Sequence, residues 1–320
     1  MKVLITGGTG FLGYNLYQFL RRAREDAKEH VGIDVHNLEL WVYSRRTGSD
    51  ILDYEKLSEA IKGMDLVYHL AAQTHVDFSI RGDIAEKQHF IDTNTKGTLN
   101  VLMACLTYGV KLVHVSTSEV YGTNQNPGEP MTEDHPLLGQ AGTYAVSKVA
   151  GDLLCRMAYM TEGQDVVIAR PFNLFGPHQS MEKLIPRFIN LASCGEPLTI
   201  YGDGEQRRDY LYAHDAARAL WALSQAPAGT IVNIGTENSY SINELSEVII
   251  KACGSKGLFV HAAGFSARPA EVQELNGSYQ KLMALTGWRP ETDIETGIEK
   301  CVDWYTSNGY IAPPDILNAG

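Results

Sequence analysis

The sequence predicts an α/β chain built on a doubly wound parallel sheet, with a smaller mixed α/β region attached to it. Three observations carry this reading. Short apolar runs alternate with amphipathic stretches through the first half, the pattern of strand–helix–strand crossovers. Runs such as LVYHLAA (66–72) are nearly continuous in apolar residues, so these strands are covered on both faces. A glycine cluster, ITGGTGFLG (5–13), joins the first apolar run to the first amphipathic stretch.

KVLIT (2–6) reads as a buried strand and FLGYNLYQFLRRA (11–23) as a helix. LELWVY (38–43) is a strand, DYEKLSEAIKG (53–63) a helix and DLVYHLAA (65–72) a strand. One long helix is expected over 92–109, then the strand KLVHV (111–115), a helix over 143–160 and the strand DVVIARP (165–171). Beyond 172 the texture changes: turn-forming pieces such as FNLFGPH and YGDGEQRRD appear, and Pro177, Pro186 and Pro197 break the pattern. TIVNIGT (230–236) returns as a sheet strand. Two interleaved domains follow, one of residues 1–172 plus about 208–236, the other of about 173–207 and 237–320.

The chain has 320 residues, 44% hydrophobic and 20% charged, with a net charge of −11. That balance argues against nonspecific binding to nucleic acid or anionic membrane. Five dispersed cysteines without a C-x-x-C pair read as reduced thiols of a cytoplasmic protein. No apolar run approaches the roughly 18 residues of a membrane span, and the first strand begins without a signal peptide. The ten histidines form no metal-ligand spacing, so no metal is expected.

Gly7, Gly10 and Gly13 sit between a strand and a helix. Glycine there permits positive φ, close approach of backbone N–H to a pyrophosphate and tight helix–sheet packing. The helix N-terminus supplies the anion site, so the loop points to a dinucleotide and a Rossmann-type domain. An acid about 20 residues further on would hold a ribose diol and imply NAD; Asp34 stands near that spacing. The better second strand, however, ends in Ser44, Arg45 and Arg46, whose hydroxyl and guanidiniums suit the 2′-phosphate of NADP. On that ground NADP is favoured over NAD, the bland alternative being that Arg45 and Arg46 are solvated loop charges.

TYAVSK places Tyr144 and Lys148 four apart, on one face of a helix. A phenol of pKa about 10 is a poor base at neutral pH, and a lysine ammonium beside it is expected to lower that value. The strand before this helix ends VSTSEVYG, with two hydroxyls and a carboxylate where a turn residue would be ordinary.

TGGTGFLG, HLAAQ, NTKGT, VSTSEVYG, YAVSK and RPFNLFGP together resemble the extended short-chain dehydrogenase/reductase family, which modifies nucleotide sugars; the likeness runs from residue 1 to about 305. STSEVYGT, TEDHPLLGQ, EKLIP and YGDGEQRRDYLYAHD bring it closest to the nucleotide-sugar 4,6-dehydratases. The resemblance implies a bound, recycled NAD(P), a homodimer, and a nucleotide-diphosphate sugar as substrate. It places cofactor contacts at Gly7, Gly10, Phe11, Leu12, Gly13, Ser44, Arg45, Arg46, Asp50 and Ile51, and at Leu70, Ala71, Ala72, Asn94, Val115, Tyr144, Lys148 and Pro171.

By the same resemblance Thr117 binds the sugar C4 hydroxyl, Tyr144 takes its proton, and Lys148 tunes Tyr144 and holds the nicotinamide ribose. Hydride leaves C4, Glu119 removes the C5 proton, water leaves C6 and the hydride returns there, giving a 4-keto-6-deoxy sugar. Ser118 departs from the Asp that some 4,6-dehydratases carry, and could only relay a proton from Glu119. UDP-glucuronate decarboxylases also carry Thr-Ser-Glu and remain an alternative, as do a 4-epimerase and a non-catalytic NAD(P)-sensing scaffold. Asn173, Lys183, Leu184, Tyr201, Arg208 and Arg268 align with nucleotide and phosphate contacts, and Thr74, His75 and Ser79 with the sugar.

Overall fold

The computed structural model describes residues 1–25, 37–140, 142–262 and 272–311. In chain order the first half runs β1 (Lys2–Thr6), α1 (Phe11–Glu25), β2 (Glu39–Tyr43), α2 (Tyr54–Ile61), β3 (Leu66–His69), α3 (Val76–Arg81), α4 (Ile84–Phe90), α5 (Gly97–Tyr108), β4 (Lys111–Val115), α6 (Thr143–Glu162) and β5 (Val166–Pro171). There follow β6 (Asn173–Phe175), α7 (Leu184–Ser193), β7 (Leu198–Tyr201), β8 (Arg207–Tyr212), α8 (Ala213–Leu223) and β9 (Ile231–Ile234). The last elements are β10 (Ser239–Ser241), α9 (Ile242–Ala252), β11 (Phe259–Ala262), β12 (Glu274–Leu275), α10 (Gln280–Thr286) and α11 (Ile294–Ser307).

A six-stranded sheet in the order β2-β1-β3-β4-β5-β9, parallel throughout, forms the centre. Successive residues along its strands feed opposite layers, as the pleat requires. Val3, Ile5, Tyr68, Val113 and Val167 pack into a core with Leu16 and Leu20 of α1 and Leu220 of α8. Their neighbours Leu4, Val67, Leu112 and Ile168 pack with Leu57 of α2, Val101 of α5 and Cys155 of α6. Continuous apolar strands are thus the direct cause of the two-sided sheet.

The polypeptide then leaves the sheet and comes back. β8 centres a smaller sheet, antiparallel to β10 and parallel to β12 and β6, while β7 and β11 pair separately. A third core gathers Ile189, Ile249 and Ile298 from α7, α9 and α11. α8 packs back on α1, and β9 adds to the main sheet beside β5. Asp209 of β8 links the two sheets: its Oδ2 accepts from the backbone N–H of Thr236 (2.8 Å) and Gly277 (3.1 Å), and its Oδ1 from the Thr236 hydroxyl (2.7 Å). Burial nonetheless wins over these bonds and raises the carboxyl to about 6.

Two parts of the sequence expectation are corrected. α3 and α4 occupy a stretch to which no element was assigned; α4 begins with an Asp83–Glu86 capping box. The helix expected over 92–109 is π-helical over Ile91–Lys96 and becomes α-helical only from Gly97. The widened turn buries Asn94, whose amide reaches Gln73 on the loop after β3. The five cysteines are all free, Cys194 alone being exposed, and among the described residues no helix is long and apolar enough to cross a membrane.

Gly13 lies in the first turn of α1, where alanine would ordinarily gain about 1 kcal/mol in helix propensity. A Cβ there would stand 2.7 Å from Gly8 Cα and closer still to the Gly7 carbonyl. Gly13→Ala is therefore expected to destabilise the protein by about 1–3 kcal/mol, read as a lower urea midpoint; an equal or higher midpoint would show that the loop yields.

Candidate active site

The glycine loop sits at the C-terminal edge of the sheet, where β1 has β2 on one side and β3 on the other. This is the switch point at which parallel sheets bind ligands. Gly7 (φ +71°) donates its N–H to Tyr43 O at 2.8 Å, tying the loop to the end of β2. A Cβ on Gly7 would stand 2.6 Å from Ala71 N and 2.9 Å from Leu70 C, so three strand ends converge on this glycine. Gly10 differs, being exposed; a Cβ on it would meet only Gly7 O, at 3.2 Å. Phe11 opens α1, no acidic residue stands in its first turn, and Leu12 packs against the first core. Close packing beneath, open backbone above and an uncompensated helix N-terminus fit a pyrophosphate.

Around this loop Ser44 Oγ lies 2.5 Å from Thr9 Oγ1, Arg46 donates to Thr9 O at 3.5 Å, and Arg45 meets His89 at 3.3 Å. Both arginines are exposed. Asp50 caps Leu52 N–H, and Ile51 packs in the second core while its carbonyl accepts from Asn100. Leu70 N–H donates to Thr6 O, Ala71 N–H to Thr6 Oγ1, and Ala72 follows on the same half-buried loop. Asn94 holds that loop: its Oδ1 accepts from Gln73 N (2.8 Å), and its Nδ2 donates to Gln73 O and Ser147 Oγ (3.0 Å each). Asp34 lies outside the described residues.

Beyond β4, Ser116 N–H donates to Ala169 O at 2.7 Å, and Thr117 is extended (φ −166°). Thr117 then caps a single 3₁₀ turn, Ser118–Val120, its hydroxyl accepting Glu119 N–H at 3.3 Å. The same hydroxyl is hydrogen-bonded to the phenol of Tyr144, the second residue of α6. Ser118 is buried, and Glu119 is half-buried and close enough for its charge to act on Tyr144. One turn along α6, Lys148 Nζ donates to Val115 O at 2.6 Å.

The expected electrostatics of this pair need correction. Burial raises the Tyr144 phenol to about 12, and the lowering influence comes from the Thr117 bond rather than from Lys148. The lysine is itself depressed to about 8 by burial, its ammonium being drawn to the Val115 carbonyl. Helical spacing places the two side chains on one face, but the strand end decides where the charge goes. Beneath them, burial lowers His69 to about 3 and holds His114 well below its ordinary value, so both imidazoles are neutral. Among the described residues no His/Cys/Asp/Glu group could hold a metal ion.

At the next strand end, Pro171 ends β5 and Asn173 begins β6, its buried Oδ1 without a hydrogen-bond partner. Asn173 and Arg208 lie on the paired strands β6 and β8. Lys183 Nζ donates to Thr74 O at 3.2 Å, and His75 Nε2 lies 3.2 Å from Glu182. The loop after β3 and the start of α7, where Leu184 packs on the third core, are thus bridged. Ser79 is buried against Gly142, the N-cap of α6. Tyr201 is exposed at the end of β7, and Arg268 lies outside the described residues. Sequence reasoning passed over Asp152 and Arg170, a fully buried ion pair behind Lys148. An arginine in the apolar run VVIARP was the available signal, since a buried charge requires a partner.

Comparison with known proteins bears on this geometry. Residues 3–235 match the model of the NAD dependent epimerase/dehydratase family. The low-salt glycan biosynthesis protein Agl12 of Haloferax volcanii is 33% identical over 95% of this chain and 98% of its own length. The dTDP-glucose 4,6-dehydratase 1 of Escherichia coli K12 is 33% identical, over 96% and 93%. Among solved structures, the dTDP-glucose 4,6-dehydratase DesIV of Streptomyces venezuelae, crystallised with NAD bound, superposes with a TM-score of 0.85 at 31% identity, over 98% and 100%.

The buried Lys148 has a measurable consequence. Its folded value of about 8 lies below the roughly 10.4 of an unfolded chain, so the unfolded state binds more protons between those values. Stability accordingly rises with pH across that window, and below it the full cost of burying the charge is carried. Lys148→Met is expected to be more stable than wild type at neutral pH, by roughly 1–3 kcal/mol, and to lack the rise in alkali. A neutral-pH urea midpoint at or below that of wild type would contradict this.

Proposed function

The chain belongs to the NAD-dependent epimerase/dehydratase family, and from that premise we infer that it is a nucleotide-sugar 4,6-dehydratase, an NAD(P)-dependent lyase. One observation carries the reading: the Thr117–Tyr144 hydrogen bond is followed, on the next turn of the same loop, by the Glu119 carboxylate. Oxidation or epimerisation at C4 needs only the first pair. Removing a proton from C5 needs the carboxylate as well.

The cradle at Gly7, Gly10 and the N-terminus of α1 fits the pyrophosphate of the dinucleotide, with Lys148 for the nicotinamide ribose. Bound there, the group supplies a reversible store for the hydrogen lifted from C4 and returned at C6. Ser44 and Arg46 at Thr9, with the exposed Arg45 beside them in sequence, favour a 2′-phosphate. The chain's own residues perform the proton chemistry. Thr117 Oγ1 holds the C4 hydroxyl and Tyr144 Oη accepts its proton, against the cost that burial places on the phenolate. Once C4 is a ketone, Glu119 takes the C5 proton; the electron pair forms the C5–C6 double bond and C6–O breaks. Glu119 is then the carboxylic acid beside the departing hydroxyl and protonates it, with Ser118 as relay. When hydrogen returns to C6, C5 takes a proton from solvent through Glu119, and Tyr144 releases to solvent the proton it took from the C4 hydroxyl. Asn173 and Arg208, on paired strands, serve the diphosphate.

We also propose that the chain is a homodimer joined through α5 and α6. Leu99 and Met103 on α5, and Val146, Leu153 and Met157 on α6, are exposed. The two helices pack side by side, so a two-fold axis beside them would close a four-helix bundle over these apolar residues. Leu153→Asp should then shift the species seen by light scattering from two chains to one; a wild-type monomer would remove the proposal.

Offered dTDP-glucose, UDP-N-acetylglucosamine or GDP-mannose, the protein is expected to convert at least one to a 4-keto-6-deoxy sugar, and cofactor released on denaturation identifies NAD or NADP. Glu119→Gln should stop that product by about a hundredfold or more while still forming a 4-keto hexose that keeps its C6 hydroxyl, detected by mass spectrometry. Carbon dioxide from UDP-glucuronate, or full activity in Glu119→Gln, would overturn the assignment.

A further inference from the structure

Arg170 is among the largest fully buried side chains. Its Nε and Nη2 fork onto the two oxygens of Asp152 at 2.9 and 2.8 Å, and its Nη1 donates to Tyr121 Oη at 2.9 Å and Glu133 O at 3.3 Å. Four of the five guanidinium donors are thereby used. The Tyr121 hydroxyl in turn donates to Asn233 Oδ1 at 2.6 Å, and burial raises this phenol to about 12, so it keeps the proton that makes the bond. Asn233 of β9 donates its backbone N–H to Glu133 Oε1 and its side-chain amide to Met131 O.

Each end of this network meets the site. Asp152 lies one helical turn beyond Lys148 on α6, and Tyr121 lies two residues beyond Glu119, its N–H closing the 3₁₀ turn onto Ser118 O. TEDHPLLGQ (132–140) forms the outer wall. Gly139 N–H donates to Val120 O, His135 packs edge-on to Tyr121, and Gln140 Oε1 accepts both the N–H and hydroxyl of Thr123. That motif therefore has a place: it straps the loop carrying Glu119.

Buried ion pairs contribute little to stability when compared with apolar substitutes, because desolvation offsets their attraction. What this one supplies is geometry. Thr117 is bonded directly to Tyr144, so the groups for C4 oxidation hold one another. Glu119 is tied to the same Thr117 hydroxyl by its backbone N–H and is carried on a turn whose far end is Tyr121.

We propose that Arg170 and Tyr121 are positioning residues for the elimination step, fixing the Glu119 carboxylate relative to Tyr144 through the Asp152–Arg170–Tyr121–Asn233 chain. This rests on the dehydratase reading above. Tyr121→Phe keeps the ring and deletes only the hydroxyl that joins Arg170 to Asn233. With the nucleotide sugar that wild type converts, the variant is expected to lose roughly tenfold to a hundredfold in kcat with KM nearly unchanged. The 4-keto hexose that retains its C6 hydroxyl should accumulate in a single turnover, and exchange of solvent deuterium into C5 should slow more than oxidation at C4. Arg170→Lys, which reaches Asp152 but cannot also hold Tyr121, should show the same split wherever it folds. A merely structural role would lower the melting temperature and slow both steps together. Equal slowing, or unchanged kinetics in Tyr121→Phe, overturns the proposal. Wild type inert toward all three sugars overturns the dehydratase reading instead, and is seen before any variant is made.

Discussion

The buried pair of Asp152 and Arg170 is the interaction on which the arrangement of this molecule turns. It joins the inner face of α6 to the end of β5. The same helix is fixed by Lys148 to the end of β4 and by Ser147 to Asn94. A helix held by polar bonds at three residues on two successive turns has little freedom to rotate or slide, whereas apolar packing alone tolerates both. Charge is placed where a folding optimum would put leucine, and stability is given up for definition. The depressed Lys148 and the raised Tyr144 show the same trade where α6 faces the end of β4.

Sheet topology explains why these groups meet. Each parallel strand delivers its end to the same edge, so Thr6, Tyr43, His69, Val115 and Pro171 lie within a residue or two of one another in register although they are far apart in sequence. The loops leaving that edge need only short polar anchors to become a site. Asn94 anchors the loop after β3, Thr117 and Tyr121 the loop after β4, and Asp209 the return from β9. The glycine loop has Thr9 bonded to Ser44 and, through Gly7 and Gly13, also lets backbone rest on backbone.

Much of this was legible in the sequence, and the physical reason is locality. Strands at 2–6, 111–115 and 165–171 declare themselves because both faces are covered and their central positions are mostly apolar. The loop at 5–13 is readable because only glycine meets its requirements, and Tyr144 with Lys148 because helical spacing is a local property. What escaped is tertiary. No pattern within 92–109 announces a π-helical start, since the widened turn answers to Gln73 on another loop. Spacing put Lys148 beside Tyr144 but could not show that Val115 O would draw the ammonium away. Asp152 and Arg170 read separately as one polar helix residue and one charge in a strand; their bond exists only once α6 has folded onto β5. The roles of Asn173, Lys183 and Arg208 came from family resemblance, because isolated charges in turn-rich sequence have no local signature.

The position of β9 has a consequence for the order in which this protein is made. β5 pairs with β9, Ile168 beside Ile231, and the whole run from β6 through α8 is synthesised between them. Contacts that close such long loops form late, because their entropy must be met before any bond rewards it. Until β9 emerges and docks, β5 is an open edge, able to recruit a strand from another nascent chain. Asn233 arrives on that same strand, so Tyr121 gains its partner only when the edge is sealed. The last event in building the sheet is therefore the one that locks the loop after β4, and a truncated chain would have the fold's beginnings without a finished site.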